Sequence, residues 1–164
     1  MSAPEPIYIE AVEQRYVVDL AAPPTNVFPV LADLTHYRDL IGLIHKIEQD
    51  TDEATWIVTL RAKIGPLARS KRLRMRRTVC DAPHRVRFER DEVDGRSHSP
   101  WTLEATVEPG TSTGAGTDAD ASTTAESSTV TMVLAYGGSL WSPMLNTVLD
   151  SQVEQAKAKL QEMV

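Results

Sequence analysis

The chain has 164 residues, of which 41% are hydrophobic and 24% are charged, and its formal net charge is −6. This length and composition are typical of one globular domain that is large enough to bury a core. The negative charge argues against a nucleic-acid-binding protein, and the sequence has no apolar run of roughly 18 residues, which excludes a membrane-spanning helix.

The start of the chain carries no recognisable targeting signal. Residues 1–10 have neither a basic n-region nor an apolar h-region, so we expect no signal peptide. Cys80 is the single cysteine, which rules out an internal disulfide and fits a reducing compartment. The sequence therefore predicts a cytoplasmic protein.

The first predicted elements are one strand and two short helices. Residues 8–20 alternate between polar and apolar side chains, with Tyr16 and Val18 on the apolar face, which is typical of a half-buried strand. Residues 25–31 and 33–40 carry apolar side chains at helical spacing. Both segments are too short for a full crossover helix, so the strands that follow should pair antiparallel.

A period of two then continues for most of the chain. It predicts six further strands, at residues 44–49, 56–64, 69–79, 85–89, 101–108 and 129–136. Asp94-Gly95 is a hairpin signal between two of them. Residues 109–128 consist almost wholly of Gly, Ser, Thr, Ala and acidic residues and cannot bury apolar surface, so we expect a mobile loop there.

The chain ends in the only long helix that the pattern predicts. Ser142-Pro143 is a favourable start, because the hydroxyl can cap free N–H groups and proline suits the first helical position. Apolar residues on a broad face after Trp141 need a cover, and no second long helix is available. We therefore expect an α+β fold, in which a curved antiparallel sheet of about seven strands wraps around this helix.

Several short motifs resemble one known superfamily. They are Ala22-Pro23-Pro24-Thr25-Asn26-Val27-Phe28-Pro29-Val30-Leu31-Ala32-Asp33 followed by Tyr37, then Pro83 with Val86-Arg87-Phe88, Trp101-Thr102-Leu103, and Tyr136-Gly137-Gly138 before the last helix. Over nearly the whole chain, this order resembles the START-related (SRPBCC) superfamily, in particular its polyketide cyclase/dehydrase and lipid-transfer-like branches. The resemblance implies a single START-like domain over residues 1–164, with a helix-grip fold and a deep ligand cavity.

The predicted cavity lining combines apolar residues of inward parity with two arginines. It comprises Trp56, Met75, Arg77, Phe88, Arg90, Trp101, Met132, Tyr136, Met144, Leu145 and Leu149. Arg77 and Arg90 share the parity of apolar neighbours, and a buried guanidinium needs a partner, which a carboxylate or phenolate on the ligand would supply. In the alternative interpretation, each arginine lies at a strand end and reaches the solvent.

Other constellations favour ordinary structural roles. The basic run at residues 69–77, read as a strand, places Arg72, Arg74 and Arg76 on an outer, ion-paired face, and no aromatic residues interleave with them to stack on nucleic-acid bases. Cys80 is interpreted as a small core residue. The four histidines are scattered, and no glycine-rich phosphate loop is present, so we predict neither a metal site nor a cofactor.

These observations favour binding or transport of a hydrophobic or aromatic small molecule, or of a lipid, in the internal cavity. The alternative is a polyketide cyclase/dehydrase-type enzyme that acts on a ligand in the same cavity. The inward-facing residues are poor in carboxylates and histidines, which does not favour an enzyme but leaves the question open. A third possibility is an interaction module that uses the basic strand or the acidic loop.

Overall fold

The structure is a computed structural model that describes residues 12–64, 66–110, 127–137 and 142–164, and the side chains of residues 12, 64, 67 and 142–151 lie outside the description. The strands are β1 (Val12–Leu20), β2 (Ile44–Gln49), β3 (Thr55–Ile64), β4 (Leu67–Asp81), β5 (Arg85–Arg90), β6 (Trp101–Pro109) and β7 (Ser128–Tyr136). The helices are α1 (Pro24–Leu31), α2 (Tyr37–Leu40) and α3 (Ser142–Met163), with a 3-10 turn at Leu34–His36.

The seven strands form one antiparallel sheet in the order β1-β7-β6-β5-β4-β3-β2. The first strand pairs with the last, and the other strands follow one another as a meander. The predicted α+β helix-grip fold is confirmed, with seven strands, a short helical interruption after β1 and a C-terminal helix that begins at Ser142.

One face of the sheet carries the core, and the alternation of residues decides which face. In β6, the residues Trp101, Leu103, Ala105 and Val107 are all buried. Directly opposite them in β7 lie Tyr136, Leu134, Met132 and Val130. Cross-strand pairs of this kind are the units that stabilise a sheet, so this pair of strands forms the centre of the core.

A bulge in β4 changes which face of the sheet the side chains at the end of that strand occupy. The register shifts between Arg77 and Val79, so that Val79 lies opposite Arg87 and not on the face of Leu73 and Met75. An extra residue in one strand reverses the alternation after it. Cys80 is exposed near the strand end, so its interpretation as a core residue is wrong.

The loop between β5 and β6 differs from its sequence prediction, and the loop between β6 and β7 lies partly outside the described residues. Gly95 has φ +72° and does form a turn, but β5 and β6 are joined by residues 91–100 and not by a two-residue hairpin. β6 and β7 pair as far as Pro109 and Ser128. Residues 111–126 of the predicted mobile loop lie outside the described residues, as do residues 8–11 of the predicted first strand.

Two glutamine side chains attach α3 to loops on either side of it. Gln161 Oε1 accepts a hydrogen bond of 2.8 Å from the backbone N–H of Ala21, which follows β1. Gln152 Oε1 accepts one of 2.8 Å from the N–H of Gly42, which follows α2. Across the described part of the chain, no helix is both long and apolar enough to cross a membrane.

Candidate functional site

An apolar cavity of about 60 Å³ lies between α3 and the sheet. We call it the helix-side cavity. Its walls come from β1, β6, β7, the segment after α2, and the second half of α3. The helix contributes Gln152, Val153, Ala156, Lys157 and Leu160. Three of these, Val153, Ala156 and Leu160, are apolar, as expected for a helix face that a sheet covers.

A second apolar cavity, of about 50 Å³, lies deeper against β3, β4 and β6. We call it the sheet-side cavity, and its walls include Leu60, Leu73, Met75 and Trp101. Ile41, Leu103 and Leu134 line both cavities. The two cavities are therefore neighbours separated by shared side chains, and a change in those side chains would join them.

Three of the predicted lining residues line these cavities. Met75 and Trp101 border the sheet-side cavity, and Met132 borders the helix-side cavity. Met144, Leu145 and Leu149 lie within α3, but their side chains are outside the described residues. A ligand contact by any of these residues stays a prediction.

The structure places Trp56 and Phe88 in a packed aromatic cluster that borders neither cavity. Phe88 is fully buried and meets Tyr37 edge to face at 5.8 Å between ring centroids. It meets Trp56 in the same way at 5.6 Å. Edge-to-face contacts suit the ring quadrupoles, so these side chains fill the core beneath the short helices.

Arg77 belongs to the same cluster through protein contacts. Its guanidinium carbon lies 5.8 Å from the centroid of the Trp56 ring, and its Nη1 donates a hydrogen bond of 2.8 Å to the carbonyl oxygen of Ala32. Ala32 caps the C-terminal end of α1, where a cation is favourable. Arg77 thus has protein partners for its charge, and the argument that a ligand must provide one no longer applies.

Arg90 is also held by the protein. Its side chain is 9% exposed, and its Nε donates to Glu92 Oε1 at 2.9 Å. Its Nη1 donates to the carbonyl oxygen of Ser99 at 3.2 Å. These bonds join the two ends of the loop at residues 91–100, so Arg90 fixes that loop at the end of β5.

The neighbours of Trp101 distinguish it from the other predicted residues. It is buried and stacks on Tyr136 with ring centroids 5.2 Å apart, and the ammonium group of Lys71 lies 5.4 Å from its ring. Its indole Nε1–H, like that of Trp56, has no hydrogen-bond partner among the described residues, but Trp101 borders the sheet-side cavity. A buried donor usually has a partner, so this N–H is a candidate for a polar contact with a ligand.

Comparisons with solved structures identify the architecture. A protein from Deinococcus radiodurans superposes with a TM-score of 0.63 at 14% identity, over 93% of this chain and 100% of that one. A START superfamily protein from Mycobacterium smegmatis superposes with a TM-score of 0.60 at 12% identity, over 93% of this chain and 96% of that one. The chain has the START-like helix-grip fold.

An aromatase/cyclase from a Streptomyces species shares this START-like fold, with a TM-score of 0.52 at 15% identity over 94% of this chain and 91% of that one. No protein-family model and no curated protein sequence matches the chain. The likeness therefore concerns the START-like fold, and the chemistry of the site has to be argued from its own residues.

Several residues that line the two cavities were not among the predicted lining residues. Ile41 and Leu134 separate the two cavities, and Gln152, Ala156 and Lys157 border the helix-side cavity. The period-two pattern in β7 already placed Leu134 on the inward face. Lys157 is a charged residue of α3, and its position at the cavity depends on how α3 is rotated against the sheet.

The chain also has an open, basic pocket at the edge of the sheet formed by β2 and β3. It has a volume of about 400 Å³ and is lined by Arg38, Gly42, Ile44, His45, Arg61 and Lys63. Ile44 lines this basic pocket and the sheet-side cavity as well. These residues come from α2, β2, β3 and the segment after α2, so no local pattern in the sequence brings them together.

The outer face of β4 is ion-paired, as the alternation predicted. Arg74 Nε lies 3.1 Å from Asp50 Oδ2, and Arg74 Nη1 lies 3.3 Å from Asp91 Oδ2. Arg76 Nη1 lies 3.7 Å from the same Asp91 oxygen. Among the residues that the structure describes, no group of three or more His, Cys, Asp and Glu side chains is placed to hold a metal ion.

Burial changes the expected ionisation of two tyrosines. It raises the pKa of Tyr37 far above its ordinary value, and it raises the pKa of Tyr136 as well. Unfolding exposes both phenols and lets them ionise near pH 10, so the unfolded state loses protons first as the pH rises. We therefore expect the free energy of unfolding to fall above about pH 10.

Absorbance titration of the phenolates, native and in denaturant, measures this effect. We expect the Tyr37 phenol to resist ionisation until the near-ultraviolet circular dichroism of the folded protein is lost, and the Tyr136 phenol to ionise at a higher pH in the folded protein than in denaturant. Ionisation of all four tyrosines near pH 10 in the folded protein would contradict the burial of Tyr37 and Tyr136.

Proposed function

We propose that the chain binds a small apolar molecule between α3 and the sheet. The observation that carries the proposal is the pair of apolar cavities that share Ile41, Leu103 and Leu134. A cavity whose walls offer water few hydrogen-bond partners gains free energy when an apolar ligand fills it. A hydrophobic or aromatic compound or a lipid fits this requirement.

The volumes imply that α3 moves when the ligand enters. The cavities measure about 60 and about 50 Å³, whereas sites for drug-sized ligands measure roughly 300 to 1,000 Å³. Along the described part of α3, the hydrogen bonds of Gln152 and Gln161 to loop N–H groups are exposed. Exposed hydrogen bonds exchange readily with water, so they hold the helix in place without preventing it from moving outward.

Two polar groups are placed to orient a bound molecule. The buried Trp101 Nε1–H next to the sheet-side cavity can donate to a carbonyl or hydroxyl oxygen. Lys157 is exposed at the margin of the helix-side cavity and can attract an anionic end. Apolar walls would then provide affinity, and these groups would provide orientation.

An enzyme of the polyketide cyclase/dehydrase type is the alternative function. The superposed aromatase/cyclase supports it only at the level of the fold. A general acid or base has to lie within hydrogen-bond reach of its substrate. Among the described residues that line the two apolar cavities there is no Asp, Glu or His, and Tyr16 and Lys157 are the titratable side chains at the helix-side cavity. The lining is therefore poor in acid–base groups, which favours binding over catalysis. The predicted cytoplasmic location stays a prediction.

A titration of the purified protein with octan-1-ol and with 2-naphthol tests the proposal. We expect saturable shifts of backbone amide resonances in residues 152–160 of α3 and at Met132 and Leu134 of β7. Native mass spectrometry before the titration shows whether a compound from the expression host already occupies the site. If neither probe gives a saturable shift in the emptied protein, the proposal is wrong.

A further inference from the structure

The basic pocket stands out against the overall charge of the protein. The chain carries a net charge of −6. Arg38, His45, Arg61 and Lys63 nevertheless line one concavity of about 400 Å³, and no residue lining it is acidic. Because like charges repel one another, this cluster lowers the stability of the folded protein. An anion in the pocket would offset that repulsion.

Arg38, Arg61 and Lys63 also differ from those arginines of β4 and β5 that form ion pairs with carboxylates. Arg74, Arg85, Arg87 and Arg90 each form ion pairs with carboxylates. Within the described residues, Arg38, Arg61 and Lys63 form none. Their charges therefore remain available to a ligand. Two guanidinium groups can bind carboxylate or phosphate oxygens in bidentate fashion.

The pocket is built on a fixed part of the fold and adjoins the apolar cavities. The N–H of Arg61 donates to the carbonyl oxygen of Leu43 at 2.9 Å, which fastens the loop after α2 to β3. Ile44 forms the wall shared with the sheet-side cavity. On the other side, the Gly42 N–H bonds to Gln152, which borders the helix-side cavity. The basic pocket and the two apolar cavities are therefore neighbours, with Ile44 and Gly42 between them.

We propose that the basic pocket binds the anionic head group, a carboxylate or a phosphate, of the molecule whose apolar part enters the cavities. This inference rests on the proposed function and specifies its ligand as an anionic amphiphile. The apolar part gains from burial, and the head group exchanges its hydration for charge-assisted hydrogen bonds from Arg38 and Arg61.

Matched ligands separate the contribution of the head group from that of the chain. Octanoate and octan-1-ol each contain eight carbon atoms and differ in the charge of the polar end. Because charge-assisted hydrogen bonds are stronger than neutral ones, we expect octanoate to bind at least about tenfold more tightly at low ionic strength. The difference should shrink as salt is added. Isothermal titration calorimetry measures both affinities.

Matched variants then locate the head group. Arg61→Met is expected to weaken octanoate binding about tenfold and to leave octan-1-ol binding unchanged. Arg72→Met is the control, because Arg72 is an exposed arginine on the neighbouring strand and lies outside the pocket. It should change neither affinity, and thermal melts of both variants should match the parent protein.

The possible results distinguish this inference from the proposed function. Equal binding of octanoate and octan-1-ol, or an Arg61→Met effect no larger than that of Arg72→Met, overturns the inference and leaves the proposed function standing. Binding of acetate as tight as that of octanoate shows a site for free anions and also overturns it. If neither octanoate nor octan-1-ol binds, the inference is wrong, and the proposed function is wrong as well if 2-naphthol also fails to bind.

Discussion

Replacing Ala156 with leucine is expected to weaken octan-1-ol binding about 10- to 100-fold. Ala156 borders the helix-side cavity, which measures about 60 Å³. The larger side chain fills that space, so a ligand can enter only by overpacking the site, and overpacking costs about 1 to 3 kcal/mol. Leucine and alanine both favour helices, so α3 itself should form as before.

Ala158→Leu is the matched control for this variant. Ala158 lies two residues further along the same helix and is exposed. The same substitution there changes the sequence of α3 without filling the cavity, and octan-1-ol should bind as it does to the parent protein. Calorimetric titration of the parent and both variants makes the comparison. If Ala156→Leu binds octan-1-ol as tightly as Ala158→Leu does, the ligand does not occupy the helix-side cavity.

The second large effect concerns stability. Phe88→Ala is expected to lower the free energy of unfolding by about 3 to 5 kcal/mol, the usual loss for a buried phenylalanine. Phe88 has no exposed surface and packs edge to face against both Tyr37 and Trp56. The substitution leaves a hole at the centre of this cluster, and the surrounding strands and helices can close it only in part. Chemical denaturation followed by circular dichroism measures the loss.

Two further variants keep this prediction testable. Val93→Ala removes apolar atoms from a side chain that is 79% exposed, so it should change the free energy of unfolding by less than about 0.5 kcal/mol. Phe88→Leu should cost clearly less than Phe88→Ala, and it provides a folded protein if the alanine variant does not fold. A loss below about 1 kcal/mol for Phe88→Ala would contradict the packed cluster and would suit a residue beside an open cavity.

The aromatic cluster and the cavities have different roles in the same half of the molecule. Tyr37, Phe88 and Trp56 fill the space between the short helices and the middle of the sheet. The helix-side cavity lies under α3, whereas the described lining of the sheet-side cavity includes no residue of α3. The aromatic cluster is therefore packed, whereas space remains around Leu103 and Leu134.

Local patterning determined the fold. Alternation in β6 and β7 defined the inward residues Trp101, Leu103, Met132 and Tyr136, and the register of the two strands confirms it. One long amphipathic helix without a helical partner required a sheet to cover it, and the proline-rich segment after β1 limited the other helices to short pieces. These features depend on neighbours within a few residues, which a sequence displays directly.

The tertiary structure alone decided which inward residues fill the core and which border a cavity. Phe88 and Met75 both lie on the inward face of their strands, yet Phe88 packs between two rings and Met75 borders the sheet-side cavity. The bulge after Arg77 and the partners of Arg77 and Arg90 likewise depend on which segments meet in space. Arg38, His45 and Arg61 converge for the same reason, because α2, β2 and β3 come together only in the folded chain. Periodicity fixes the face of a residue, whereas the distance to the opposite layer depends on every side chain between them.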